Sequence, residues 1–221
     1  KKYMDIFFHV YLKSGYSHIL LDKFKKFKIS GLYDSASKIH LTLYGDIELH
    51  SEFLNELKDM YSKIEYGIIS NAVFNNEPDT LNFMIKKASQ YLTNTPMLYL
   101  HTKGLSYTNP SVKKNVEAWV RYLDLYVINK WKECVDSLKD HDAAGGFYVE
   151  NPKHFQGNFW WANSDYLKNL PKLTPDNVEK YNRGEFWILS DTDKVYPLSG
   201  VTPVDMYQNH YCKEEDFPDG W

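Results

Sequence analysis

The segment Pro96-Met97-Leu98-Tyr99-Leu100-His101-Thr102-Lys103-Gly104 decides the fold. Its first five residues form a short apolar run that is typical of a buried strand. The run ends at His101, where the sequence turns polar and reaches a glycine. In open parallel sheets the ligands bind beyond the carboxyl ends of the strands, because the loops there vary while the sheet stays rigid. The segment therefore predicts a ligand-binding edge immediately after residue 100.

Strand-like and helix-like stretches alternate on the N-terminal side of this segment. Apolar, β-prone runs predict strands at residues 3–12, 38–44 and 66–70. Apolar residues at helical spacing predict helices at residues 14–27, 51–61 and 77–92. Strands separated by helices of this length require crossover connections, so the sheet should be mostly parallel.

The C-terminal half is less regular. One long helical pattern with a broad apolar stripe covers residues 111–139, and short strand candidates follow at residues 143–149, 157–162 and 195–197. We therefore predict a single α/β domain over residues 1–221, with a mostly parallel central sheet flanked by helices and a Rossmann-like N-terminal half.

Charge and hydropathy exclude some classes of partner. The 26 Lys and Arg residues are outnumbered by 29 Asp and Glu, so nucleic acid is not expected as the main partner. No apolar run approaches the ~20 residues that span a bilayer, and the start lacks a signal peptide, which predicts a soluble, cytoplasmic protein, in the host cytoplasm if the chain is viral. The chain begins without Met and fits one domain of a longer protein. The clustered Lys23, Lys25, Lys26 and Lys28 are expected on a solvated helix face.

Aromatic residues make up 16% of the chain, with 18 Tyr and 6 Trp. Flat rings with a polar tip suit the CH-rich faces of sugars as well as protein interfaces. A Tyr-rich scaffold without any ligand explains the same composition, so both interpretations stay open.

The first candidate site is His101-Thr102-Lys103-Gly104. An ammonium group and an imidazole at a strand end can hold a diphosphate and stabilise the charge that develops on it as a sugar departs. A polar exit from a strand is also commonplace without any phosphate chemistry.

The second candidate site is the run from His154 to Asn163, which contains Gly157, Asn158 and the pair Trp160 and Trp161. A glycine before an amide and three aromatic residues allows a close approach of the backbone to a ligand. In a regular strand the two tryptophans point to opposite faces, so at most one of them can belong to a sugar-binding platform. Burial of these rings in the core is the alternative.

The third candidate is Glu185, which lies next to Phe186 and Trp187. A carboxylate that aromatic neighbours shield from water can accept a proton from an acceptor hydroxyl. Alternatively, Glu185 pairs with Arg183 and caps a short helix. Asp142 is the second choice for the catalytic base.

The order and spacing of these motifs resemble glycosyltransferases of the GT-A type that occur in bacterial polysaccharide clusters and in large DNA viruses such as chlorella viruses. The matching blocks cover roughly residues 96–188. They are the sequence HTKG at residues 101–104, Trp119 and Trp131 on the long helix, Asp142-Ala143-Ala144-Gly145, His154-Phe155-Gln156 followed by GNFWWA at residues 157–162, and Glu185-Phe186-Trp187-Ile188.

This resemblance implies an enzyme that moves a sugar from a nucleotide-sugar donor, most simply a UDP-sugar, to a hydroxyl of a glycan acceptor. Residues 1–104 would hold the donor and residues 105–221 the acceptor. The donor-binding positions would be His9 and Tyr11 near the base, and His101, Thr102, Lys103 and Gly104 at the diphosphate. The acceptor-binding positions would be His154, Gly157, Asn158, Trp160 and Trp161.

Metal dependence is open. Enzymes of the GT-A type usually hold Mn²⁺ or Mg²⁺ with an Asp-x-Asp motif at the end of a central strand, where this chain has His101-Thr102-Lys103. Lys103 and His101 can supply part of the charge neutralisation that a metal supplies elsewhere. The triplet Asp191-Thr192-Asp193 has the right letters but is expected in a loop.

Two other functions compete with this interpretation. A non-catalytic glycan-binding domain would need an aromatic platform but no phosphate-binding strand end and no base. A glycoside hydrolase would need two carboxylates about 5 to 10 Å apart, and the sequence nominates no convincing pair.

Overall fold

The computed structural model describes residues 3–67, 72–198 and 205–221. The strands and helices, in chain order, are β1 (Asp5–Tyr11), α1 (Tyr16–Ile29), α2 (Leu32–Ser35), β2 (Lys38–Tyr44), α3 (Ser51–Met60), β3 (Ile64–Gly67), α4 (Glu77–Ala88), β4 (Pro96–His101), α5 (Pro110–Asp124), α6 (Trp131–Ser137), β5 (Ala143–Gly146), β6 (Tyr148–Glu150), β7 (Lys153–Phe155), β8 (Trp160–Asn163), α7 (Ser164–Leu167) and β9 (Val195–Leu198). The third predicted strand, at residues 66–70, overlaps β3, and its residues 68–70 lie outside the described ranges.

Seven strands form one sheet in the order β3-β2-β1-β4-β8-β5-β9. The strands β3, β2, β1 and β4 are parallel to one another, and β9 is parallel to β5. Only β8 runs against its neighbours within this described sheet, pairing antiparallel with both β4 and β5. The strands β6 and β7 form a separate antiparallel pair. The predicted α/β fold with a mostly parallel central sheet is confirmed.

Helices cover both faces of the sheet, so its central strands are buried on both sides. Along β1, Ile6 and Phe8 join the core beneath α1 and α5, whereas Phe7 joins the core beneath α4 and α7. This alternation is what a strand with two covered faces requires. Among the described helices, none has both the length and the apolar character that crossing a bilayer requires.

The predicted helix at residues 111–139 is interrupted. It begins at α5, where Pro110 occupies the first turn and the side-chain oxygen of Asn109 accepts hydrogen bonds from the amides of Ser111 and Val112. Residues Leu125–Asn129 then form a π-helical turn before α6 starts. The apolar periodicity continues through this turn because its side chains remain in the core, which is why the sequence pattern does not reveal it.

Of the four lysines expected on a solvated face of α1, two are exposed and two are buried. Lys25 and Lys28 are exposed, but Lys23 and Lys26 are buried and both contact the carboxylate of Asp124 in α5, at 2.5 and 2.8 Å. The two ammonium groups can be buried because this shared carboxylate compensates their charge. The ion pairs tie α1 to α5.

Two predicted strands are shorter in the structure because residues with a left-handed backbone conformation interrupt them. Gly157 (φ 91°) and Asn158 (φ 60°) form a turn, so β8 starts only at Trp160. Phe147 (φ 53°) separates β5 from β6 within the predicted strand at residues 143–149. Glycine suits the first of these turns, since a left-handed backbone strains other residues.

Candidate active site

A cleft of about 320 Å³ opens at the carboxyl ends of β1 and β4. We call it the edge cleft. His9 and His101 face each other across the register of these two parallel strands. Because β8 is antiparallel to β4, the turn that precedes β8 reaches the same edge. The edge cleft brings together nine of the predicted site residues: His9, Tyr11, His101, Thr102, Lys103, Gly104, Gly157, Asn158 and Glu185.

Two cationic residues line the edge cleft, Lys103 and Arg183, and Arg183 is paired with Glu179. The ammonium group of Lys103 lies 4.1 Å from the ring centre of Trp119 and 5.4 Å from that of Tyr207. No carboxylate of the described residues forms an ion pair with it. Burial lowers the pKa of Lys103, and the charges of Glu77 and Glu185 partly oppose this effect. The aromatic cradle therefore holds the ammonium group in the edge cleft and leaves it free to contact an anion.

Glu77 is a carboxylate of this site that the sequence motifs did not indicate. It is the first residue of α4, and its amide donates to the side chain of Asn76. Its Oε1 accepts a hydrogen bond from the hydroxyl of Tyr99 at 2.6 Å and lies 3.6 Å from Nε2 of His101. Burial raises the pKa of Glu77, but His101, His9, the Tyr99 hydrogen bond and Lys103 together outweigh burial, so the pKa is lowered. In the sequence, Asn76-Glu77-Pro78 indicates the start of a helix but gives no sign that Glu77 belongs to a functional site.

His101 fixes the turn before β8. Its Nε2 lies 2.9 Å from the carbonyl oxygen of Gly157, so this nitrogen carries the proton and donates. Burial lowers the pKa of His101, and the charge of Glu77 opposes that shift. A Cβ atom at Gly157 would come within 2.7 Å of Cδ1 of Leu123, so a larger residue would require that side chain to shift. The loop after β4 and the turn before β8 are thereby locked together.

Glu185 also lines the edge cleft. Its Oε1 accepts a long hydrogen bond from the amide of Gly157, and its Oε2 accepts one from the side chain of Asn182, both at 3.4 Å. His154 lies behind it, with Nε2 4.0 Å from Oε1 and Nδ1 donating to the carbonyl of Pro152 at 2.7 Å. The alternative pairing of Glu185 with Arg183 is not observed, because Arg183 binds Glu179 instead. The carboxylate is thus loosely held and a third exposed.

Trp160 and Trp161 lie outside the edge cleft. Both side chains are fully buried, one in each core, and their indole N–H groups donate to Asn158 Oδ1 and to the carbonyl of Val127. The expected sugar platform is therefore not formed by either ring. The reason is that β8 is a central strand with both faces covered. Trp160 instead orients the side chain of Asn158, which does line the edge cleft.

Asp142 is also placed away from the edge cleft. Its carbonyl accepts a hydrogen bond from the amide of Asn163, which pairs with Pro96 at the first residue of β4. His101 is the last residue of that strand, so roughly 16 Å of β4 separate the two positions. The carboxylate of Asp142 accepts a hydrogen bond from Thr192 at 2.6 Å. Asp142 lies at the opposite edge of the sheet because β5 begins there.

The Asp191-Thr192-Asp193 triplet lies in the turn before β9, as expected for a loop. There Asp193 forms an exposed ion pair with Lys153 at 2.7 Å. Within residues 3–67, 72–198 and 205–221, no three His, Cys, Asp or Glu side chains are grouped so that they could hold a metal ion. The donor set of the described edge cleft therefore does not form a protein cage for Mn²⁺ or Mg²⁺.

His9 should make the stability of the protein depend on pH. Burial lowers its pKa to about 4, His101 adds to this shift, and Glu77 and Asp79 oppose it. Below pH 6.5 the unfolded chain binds a proton at His9 that the folded protein does not bind, so stability rises with pH between about 4 and 6.5. The full shift corresponds to about 3 kcal/mol. In His9→Asn, the free energy of unfolding from urea titrations should lose part of its slope between pH 5 and 6.5; an unchanged slope would contradict the assignment.

No protein-family model and no curated protein matches this chain. The solved structures that are similar to it include the following two. One is described as a nucleotide-diphospho-sugar transferase of Desulfovibrio desulfuricans G20, with 14% identity, a TM-score of 0.43 and coverage of 88% of this chain and 79% of that chain. The other is a 4-diphosphocytidyl-2C-methyl-D-erythritol synthase of Anaerococcus prevotii DSM 20548, with 12% identity, a TM-score of 0.42 and coverage of 97% and 92%. Similarities this weak carry no argument about activity, which must rest on the geometry of the edge cleft.

Proposed function

We propose that the protein transfers a glycosyl group from a nucleotide-sugar donor, a UDP-sugar in the first instance, to a hydroxyl of a glycan acceptor. One observation carries this proposal: the edge cleft combines a free ammonium group, Lys103, with a loosely held carboxylate, Glu185, at the carboxyl ends of parallel strands. The ammonium suits a diphosphate, and the carboxylate suits a hydroxyl proton.

The donor half of the proposal concerns residues 1–104. The diphosphate would lie against Lys103, whose neighbours Thr102 and Gly104 also line the edge cleft. When the bond between the sugar carbon and the diphosphate oxygen breaks, its electron pair stays on the diphosphate. The ammonium group of Lys103 would stabilise this negative charge. His101 would act as a positioning residue, because its Nε2 already binds Gly157.

The acceptor half concerns residues 105–221. An acceptor hydroxyl would be oriented by Asn158 and would lose its proton to Glu185 while its oxygen forms the new bond to the sugar carbon. The single hydrogen bonds at 3.4 Å to each oxygen leave Glu185 with free lone pairs for this proton. This attack from the face opposite the diphosphate would invert the configuration of the sugar carbon.

Hydrolysis of glycosides is the second candidate, because the structure supplies the carboxylate pair that the sequence did not suggest, Glu77 and Glu185. A hydrolase needs one of the two as a proton donor with a raised pKa. The lowered pKa of Glu77 argues against that role. A purely glycan-binding domain is less favoured, since the tryptophans that suggested it are buried in the core.

Binding of UDP should raise the melting temperature of the protein. A ligand at 100 times its dissociation constant adds about 2.7 kcal/mol of stability, which is roughly 5 to 10 °C for a domain of this size. The measurement is a thermal-shift screen of UDP, GDP, dTDP and CMP, each with and without Mn²⁺. A shift with a plain oligosaccharide but with no nucleotide would contradict the transferase and favour the hydrolase or the glycan-binding domain.

A further inference from the structure

Tyr107 and Tyr207 form a pair of rings at the edge cleft that the sequence motifs did not indicate. Tyr107 lies in the loop between β4 and α5, and Tyr207 belongs to the described segment 205–221. The two ring centres are 5.6 Å apart, and the ring planes are tilted by 53°. The edge cleft therefore has an aromatic wall, although Trp160 and Trp161 are buried in the core.

Contacts with α5 hold the backbone and the ring of Tyr207. Asn115 donates from Nδ2 to the carbonyl oxygen of Tyr207 at 2.8 Å, and the ring meets the Trp119 ring edge-on, with centres 5.1 Å apart. Burial raises the pKa of Tyr207, and so do its side-chain hydrogen bond with Tyr107 and the charge of Glu185. These contacts fix the ring pair before a ligand arrives, which lowers the entropy cost of binding.

The ring pair stays accessible even though it is held. Tyr207 is 39% exposed, and Tyr107 is half-buried. Aromatic side chains that line a cleft and remain open to solvent are typical of ligand-binding surfaces. A planar base can lie flat against only one of two rings that are tilted by 53°, whereas the puckered, CH-rich face of a pyranose can contact both.

The ring pair also lines the same cleft as Glu185 and Asn158, the residues proposed for the acceptor. The charge of Glu185 acts on the hydroxyl of Tyr207, so the carboxylate and the ring are neighbours in this cleft. A sugar that covers the rings therefore has its hydroxyl groups near the proposed base.

We propose that Tyr107 and Tyr207 form the platform on which a pyranose ring of the acceptor stacks, with one of its hydroxyl groups directed at Glu185. Calling this sugar the acceptor rests on the proposed function, whereas the platform itself requires only that a sugar binds. The platform selects sugars that present an unbroken face of C–H groups, such as glucopyranosides and galactopyranosides. An open-chain polyol with similar hydroxyl groups has no such face and is not retained.

The test uses methyl β-D-glucopyranoside and methyl β-D-galactopyranoside as probes, with sorbitol as the open-chain polyol. Their dissociation constants are measured by NMR titration without any nucleotide, on the unmodified protein and on Tyr107→Ala, Tyr207→Ala and Tyr207→Phe. Tyr3→Ala is the control, because Tyr3 is an exposed tyrosine that does not line the edge cleft. The affinity of UDP for the unmodified protein and for Tyr107→Ala is measured in parallel.

We expect at least one glycoside to bind the unmodified protein and sorbitol not to bind. Loss of either ring should weaken the glycoside roughly tenfold, the scale of one aromatic contact, whereas Tyr207→Phe and Tyr3→Ala should bind it as before. UDP should bind Tyr107→Ala as tightly as the unmodified protein.

If neither glycoside binds the unmodified protein, or if sorbitol binds equally well, the platform is wrong even when the alanine variants do not fold. Folded alanine variants that bind the glycoside normally would also overturn it. Weaker binding of UDP to Tyr107→Ala, with the glycoside unaffected, would assign the rings to the nucleotide instead. Glycoside binding as expected without binding of any nucleotide would leave the platform standing and contradict the proposed function alone.

Discussion

Glu185→Gln should reduce glycosyl transfer by about a thousandfold while UDP binds as before, since general-base catalysis contributes roughly 10²- to 10⁴-fold. The amide keeps the shape of the side chain and can still accept a hydrogen bond from Gly157, but it cannot take up the proton of the acceptor hydroxyl. The loss should therefore appear in kcat. The measurement is the rate of UDP release from a UDP-sugar in the presence of an acceptor, with UDP affinity measured in parallel.

Glu150→Gln is the matched control, because Glu150 is an exposed carboxylate on β6 that does not line the edge cleft. It should transfer at the rate of the unmodified protein. A Glu185→Gln variant that retains most of its activity would remove the base role. Product stereochemistry, followed by NMR, gives an independent check: an inverted product requires a base, whereas a retained configuration means that Glu185 does not act as proposed.

Lys103→Ala should lower turnover by about a hundredfold, the effect of losing one electrostatic contact to the transition state. The ammonium group is held against Trp119 and forms no ion pair with a carboxylate in the described part of the chain, so its removal breaks no ion pair there. The variant should fold normally. UDP should also bind it more weakly, because the diphosphate is negatively charged before the sugar leaves as well as afterwards.

Lys114→Ala serves as the control, since Lys114 is exposed on α5 and lies outside the edge cleft. Its kcat and its affinity for UDP should not change. If Lys103→Ala folds with the same melting temperature and turns over like this control, Lys103 is a surface cation and the diphosphate lies elsewhere. Partial rescue by Lys103→Arg would support a role for the positive charge itself.

The local pattern of the sequence predicted the α/β class and the parallel first half well. In β1 and β4 the apolar run, the polar residues that follow it and the neighbouring helices all favour parallel strands joined by crossover helices. The edge of the sheet where these strands end then follows from their direction, which is why His9, Tyr11 and residues 101–104 lie at one end of the sheet, as the sequence predicts.

The pairing of strands that are distant in the chain could not be predicted from the local sequence pattern. Nothing local in β8 shows that it inserts between β4 and β5, yet this position buries both Trp160 and Trp161. The start of β5 likewise puts Asp142 at the far edge. Glu77 was missed because its role depends on Tyr99 and His101, which are far from it in the chain.

The insertion of β8 against the direction of its neighbours also sets when the site can exist during synthesis. Once residues 3–101 have left the ribosome, β1 to β4 have all their partners in the described sheet except β8, which pairs antiparallel with β4. The edge beside His101 still lacks its second wall, because Gly157 and Glu185 are translated much later. A nascent N-terminal fragment can thus form much of the sheet without a closed cleft. A nucleotide that binds across both walls will recognise only the completed chain, so it stabilises the last step of folding rather than the first.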